Sequence, residues 1–150
     1  MDIYLDTLIH LPYITIDGCR EVDGTVFLKL KCLNDTIDCP ECGAELDRIN
    51  QTEEVLIRDL PVFGQPVYLE VPRRQFHCLA CQKFRTERLE FVAWRHHQTR
   101  RYEEAIYEQV KQSSLEEVSR REGLGVATVR AIFDDYAAGS IKKLSTCPSD

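Results

Sequence analysis

The sequence predicts an α+β chain, strands first and helices last, on three observations. Two CxxC pairs, Cys39-Pro40-Glu41-Cys42 and Cys78-Leu79-Ala80-Cys81, are separated by 35 residues (43–77). Between residues 11 and 71, runs of β-branched, aromatic and alternating apolar residues mark strands. From Thr99 the apolar period becomes helical, and Gly123-Leu124-Gly125 interrupts it. The expected architecture is a small β-rich zinc ribbon over residues 1–98, a three-helix helix-turn-helix domain over 99–145, and a tail at 146–150.

The cysteine spacing carries the first half. Each CxxC forms a tight knuckle that points two sulfurs at one centre, and two knuckles complete a tetrahedron. Pro40 fixes φ within the first knuckle, and Gly43 is the permissive residue after it. Cys39, Cys42, Cys78 and Cys81 are therefore the expected ligands of one zinc ion. Four thiolates leave no open coordination position, so the ion should be structural and not catalytic. Structural zinc can supply on the order of 10 kcal/mol of apparent binding energy. That contribution matters because residues 1–100 offer few candidates for a large apolar core. His77 adjoins Cys78, but neighbours on a strand face opposite ways, so it should point away from the metal. Cys19, Cys32 and Cys147 are expected to be small core residues or idle thiols.

The strands follow in order. Tyr13-Ile14-Thr15-Ile16 and Thr25 to Lys31 read as a pair, joined through the hairpin signal Asp23-Gly24. The second alternates, with Leu28, Leu30 and Cys32 on one side and Lys29 and Lys31 on the other. Val55 to Pro61 is a further extended run, Gly64 and Pro66 mark a turn, and Val67 to Val71 is a strand. Pro72 implies an edge or a bulge there. Arg73-Arg74-Gln75-Phe76-His77 then runs extended into the second knuckle.

In the helical part, Tyr102, Ala105, Ile106, Gln109 and Val110 line one face, with Thr99 placed as an N-cap. Ser113 and Glu116 are spaced as a capping box for a short second helix built on Leu115 and Val118. Val126, Val129, Ile132, Phe133 and Tyr136 form the buried face of a third helix, expected to end near Gly139. Ser119 is small where the helices cross, and Gly123 sits where the turn needs φ > 0. In a recognition helix starting at Val126, the side chains free to reach base edges are Ala127, Thr128, Arg130, Ala131 and, at the margin, Asp134. Arg130 would read guanine, and Thr128 or Ala131 a thymine methyl. Arg120 and Arg121 on the preceding helix would meet phosphates.

The net charge of −6 conceals an asymmetry. Residues 1–72 carry 5 Lys/Arg against 14 Asp/Glu, whereas residues 73–101 carry 8 against 2. Local field decides phosphate binding, because the Debye length is only ~8 Å at physiological salt. Arg73, Arg74, Arg95, Arg100 and Arg101 in that basic stretch are accordingly expected to contact DNA. Hydrophobic content of 43% and charged content of 29% exclude a disordered chain. No apolar run reaches the ~18 residues of a membrane span, the acidic N-terminus is no secretory signal, and seven cysteines without such a signal point to a reducing cytoplasm.

In this order the features resemble the N-terminal region of the ISL-three family of insertion-sequence transposases. The matching stretches are the Cys39 knuckle, Arg58-Asp59-Leu60-Pro61, Arg73 to Cys78, Cys81, Thr86-Glu87, Thr99-Arg100 and Ser114 through Val129. The resemblance implies double-stranded DNA binding, for transposon-end recognition or regulation, in or near the nucleoid. In that family a downstream DDE domain cuts and joins DNA. The chain stops at Asp150, about where that domain should begin, and no transposase chemistry is expected of it. A homodimer is what an inverted-repeat target would require. The alternative is a zinc-stabilised protein-interaction adaptor whose acidic first half docks on a basic partner. A zinc hydrolase is excluded by the ligand type, which leaves no open position.

Overall fold

Two tight turns set the main sheet. The computed structural model describes the backbone of residues 3–146 and the side chains of residues 6–139; the expected tail lies outside them from residue 147 on. The chain divides into two units, Met1–Thr99 and Arg100–Asp150.

The first unit opens with α1 (Ile3–Ile9), a short helix the sequence reading did not anticipate. Asp6 ties it to β1 (Ile14–Val22), accepting hydrogen bonds from the Ile16 N–H at 2.8 Å and the Thr15 hydroxyl at 2.7 Å. The Ile16 bond is the largest effect that holds the Asp6 carboxyl below its ordinary pKa, followed by the Thr15 bond. β1 pairs antiparallel with β2 (Thr25–Cys32) through Asp23-Gly24, whose φ values of 50° and 81° match the type I′ hairpin turn. Lys29 and Lys31 face solvent while Leu30 is buried, as the alternation requires.

The first knuckle sits between two two-residue strands, β3 (Ile37–Asp38) and β4 (Glu45–Leu46). There follow β5 (Ile49–Val62) and β6 (Gln65–Cys78), joined at Phe63-Gly64 by a second turn with two positive φ values, 51° and 77°. β7 (Lys83–Thr86) pairs with the far end of β6. The sheet order is β1-β2-β6-β5, with β2 and β6 parallel from Val26↔Val67 to Lys29↔Glu70.

β6 runs unbroken through Pro72. That residue stands between Glu70, where β2 stops pairing, and Gln75, where β7 begins. One flank of β6 carries no ladder there, so the missing N–H costs no hydrogen bond on that side.

Ile14, Ile16, Leu30, Ile57, Leu69 and Val71 are the heart of a buried apolar cluster on one face of this sheet, joined by Ile9 of α1 and Val92. This core corrects the expectation that residues 1–100 are short of apolar material. A second, smaller cluster holds Cys39, Leu46, Phe76 and Cys78. The chain leaves the unit under restraint. Thr99 donates its N–H to the Arg58 carbonyl at 2.8 Å and its hydroxyl to Asp59 at 2.8 Å.

The second unit contains α2 (Arg100–Gln112), α3 (Leu115–Glu122) and α4 (Val126–Thr146). Tyr102, Ile106, Val118, Val129 and Ile132 are buried. The N-cap of α3 is Ser114, one residue later than expected: its Oγ accepts the Glu117 N–H at 3.1 Å. Glu117 turns its carboxylate to Arg120 and Arg121 instead of closing the box. α4 continues through Gly139 to Thr146, since a single glycine costs a helix only ~1 kcal/mol.

Candidate metal centre and nucleic-acid interface

The knuckles are built from backbone hydrogen bonds. Gly43, at φ 74°, donates its N–H to the Cys39 carbonyl at 2.9 Å, and the Cys39 N–H reaches the Ala44 carbonyl at 2.8 Å. The Cys81 N–H points at the Cys78 sulfur, 3.4 Å away. All four sulfurs lie within 4.8 Å of one another, with Cys39–Cys81 at 3.9 Å and Cys42–Cys78 at 3.6 Å. A regular tetrahedron with Zn–S bonds of about 2.3 Å would place its sulfurs about 3.8 Å apart. The donor set and its spacing fit one structural zinc ion.

The bare thiols are electrostatically divided. The backbone N–H groups of Cys42 and then Glu41 pull the Cys39 thiol down to about 6. Hydrogen bonding with Cys42, followed by burial, pushes the Cys81 thiol up to about 12. A divalent ion removes that conflict by replacing the protons. His77 faces away from the sulfurs, as strand alternation requires, and its ring lies 5.0 Å from that of Phe84. Cys19 is exposed and Cys32 half-buried; neither joins the cluster.

The arginines expected at DNA separate into two groups. Arg74 is a correction: it is buried, and its Nε and Nη2 meet the two carboxylate oxygens of Glu87 at 3.0 Å each. Its Nη1 donates to the Asn34 carbonyl at 2.8 Å. A guanidinium so enclosed is committed to buried partners within the fold. Arg73, on the opposite face of β6, is half-buried, and Arg95 is exposed. At the start of α2, Arg100 is exposed and Arg101 half-buried.

In the helical unit the turn between α3 and α4 is closed by three interactions. Gly123 adopts φ 68°, where a side chain would be strained. Its N–H and that of Leu124 both reach the Ser119 carbonyl, and the Ser119 hydroxyl donates to the Leu124 carbonyl at 2.5 Å. Tyr102 donates to Glu122 at 2.7 Å, and Tyr136 to the Arg100 carbonyl at 2.9 Å. Val129 and Ile132 face inward, leaving Ala127, Arg130, Ala131 and Asp134 exposed and Thr128 half-exposed. Arg120, with its side chain 75% exposed, pairs with Glu117 at 2.6 Å, and Arg121 donates to Gln109 at 3.0 Å. Such exposed pairs are worth ~1 kcal/mol or less and yield readily to a phosphate.

Glu87 and Asp59 stand in the sequence reading only as parts of matching stretches, with no role attached; in the structure they are the buried carboxylates that fix Arg74 and Thr99. A signal for the first was present. Counting back from Cys78 by two gives Phe76 and Arg74, which places Arg74 on the buried face of β6.

Paired knuckles on hairpins define a zinc ribbon, and α2 to α4 define a helix-turn-helix domain. Together they form the class of metal-stabilised DNA-binding regions. Residues 35–81 match the zinc finger of the transposases IS204/IS1001/IS1096/IS1165, and residues 87–137 match the helix-turn-helix domain of transposase family ISL3. The chain carries the zinc-ribbon and helix-turn-helix domains of the ISL3 transposase family. It is 32% identical over 119 residues to the transposase for insertion sequence element IS1001 of Bordetella parapertussis, a match covering 79% of this chain and 29% of that protein. No solved structure matches.

Proposed function

We propose that this chain is a sequence-specific double-stranded DNA-binding module of transposase origin, recognising transposon ends or serving as a regulator derived from such a protein. The observation that carries the reading is α4: it follows a left-handed glycine turn, buries Val129 and Ile132, and turns Ala127, Arg130 and Ala131 outward. Arg120 and Arg121 supply phosphate contacts from α3. Exposed Arg95 and Arg100, with half-buried Arg73 and Arg101, supply others. Strand cutting is assigned to no residue here. The metal site is filled by four thiolates, and Asp134 and Asp135 are adjacent on one helix, unlike a two-metal carboxylate set. On this reading the chain works at the nucleoid, and an inverted-repeat target would engage two copies.

Gel-shift titrations over several salt concentrations test it. Arg130→Ala should cost about 1–3 kcal/mol at the cognate site and relax preference at one base pair. Arg120→Ala should weaken all duplexes alike and reduce the logarithmic salt slope by about 0.9. Duplex binding indifferent to salt, or an Arg130→Ala protein with unaltered sequence preference, would reject the assignment.

A further inference from the structure

Arg85 lies in the basic stretch that the sequence directs at DNA, yet its side chain points into the ribbon. β7 sets Lys83 opposite Cys78 and Arg85 opposite Phe76, on the face that buries those two residues. The Arg85 side chain is only 16% exposed, and its Nη2 lies 2.5 Å from Glu41 Oε2. Burial opposes its charge, and polar contacts toward Cys81, Glu41 and Cys39 together with the Glu41 charge outweigh that cost. Its Nε and Nη2 are both shielded from solvent and form no aligned hydrogen bond among the described residues, so the approach to Glu41 is an ion pair. Glu41 belongs to the first knuckle and Arg85 to the hairpin of the second, so the pair spans the metal centre.

Four thiolates around a divalent ion leave two net negative charges in a partly buried site. Desolvating that excess is costly unless a cation lies beside it. We propose that Arg85 is the counter-cation of the zinc thiolate centre, held over the sulfurs by Glu41, and that its charge slows loss of the metal. The inference rests on the four-cysteine site and is independent of DNA binding.

Zinc release from the full chain into a chromogenic chelator is the test. Partners just outside a metal's own ligands typically govern 10- to 100-fold in affinity. Arg85→Gln should therefore release zinc about tenfold faster or more, while Arg85→Lys, which keeps the charge, should stay within about threefold of the parent. Cobalt substitution gives a second reading that packing alone would not move. Loss of the cation raises the energy of the sulfur donor electrons, so the thiolate-to-cobalt absorption should shift to longer wavelength in Arg85→Gln and stay in place in Arg85→Lys. Unchanged release from Arg85→Gln, equal acceleration by both variants, or faster release with an unshifted band would each overturn the proposal. Should Arg85→Gln fail to retain metal during purification, Arg85→Lys decides alone: parent-like release and absorption support the counter-cation, and rapid release defeats it.

Discussion

Removal of zinc, by chelation or by Cys78→Ser, should erase amide protection over residues 35–50 and 76–86 while leaving the main sheet and the helices protected. β3 and β4 contribute two residues each, and among the described residues the buried cluster around the sulfurs is Leu46, Phe76, Cys39 and Cys78, with Ile37, Ala44 and Cys81 half-buried against it. Two-stranded pieces of that size are not stable in water by themselves. Structural zinc contributes about 10–16 kcal/mol of apparent binding energy, more than so small a cluster supplies. The apolar cluster on β1, β2, β5 and β6 is separate and contains no ligand cysteine. The helical unit likewise buries Tyr102, Ile106, Val118, Val129 and Ile132 without the metal. Hydrogen exchange with and without chelator measures the effect. Equal protection of residues 35–50 in both states would show that the fold holds the knuckles without the ion.

Arg74→Ala should destabilise the first unit by about 3–5 kcal/mol, because it strands the Glu87 carboxylate in the interior. Both side chains are buried, at 9% and 7% exposure. Glu87 also accepts the Arg74 backbone N–H at 2.9 Å. Hydrogen bonding to Glu87 is the main reason the Arg74 guanidinium holds its proton even more firmly than usual. Replacing both partners together, Arg74→Met with Glu87→Leu, should recover most of the loss, since a buried pair and a well-packed apolar pair are often close in stability. Urea denaturation of the single and double variants gives the comparison. A loss under about 1 kcal/mol in the single variant, combined with a shallower salt dependence of DNA binding, would instead mark Arg74 as a phosphate contact.

The metal ligands and the helical turn were legible in the sequence because fixed spacing and a required φ leave few alternatives. Cys39, Cys42, Cys78 and Cys81 converge as their two knuckles demand, and Gly123 is left-handed where the turn bends. Polar side chains were harder to place. Arg74 and Arg85 look like their neighbours in a basic run, and only the phase of β6 and β7 sends them inward. Parallel pairing of β2 with β6 was also hidden, since the first knuckle and all of β5 intervene along the chain. Helix α1 depends on Asp6 finding Thr15 and Ile16, a contact made by the fold and not by local propensity. Pro72 pointed to an edge, and β6 is one-sided there even though the strand lies inside the sheet order.

β5 closes one side of the sheet order, and every residue from Ile49 to Glu54 along it is exposed. A free margin of that kind invites another chain to add itself as the next strand, unless charge discourages the approach. Glu53 and Glu54 fall within it. Two chains meeting margin to margin would bring like charges together on each face, so the carboxylates of Glu53 and Glu54 oppose edge-to-edge pairing there.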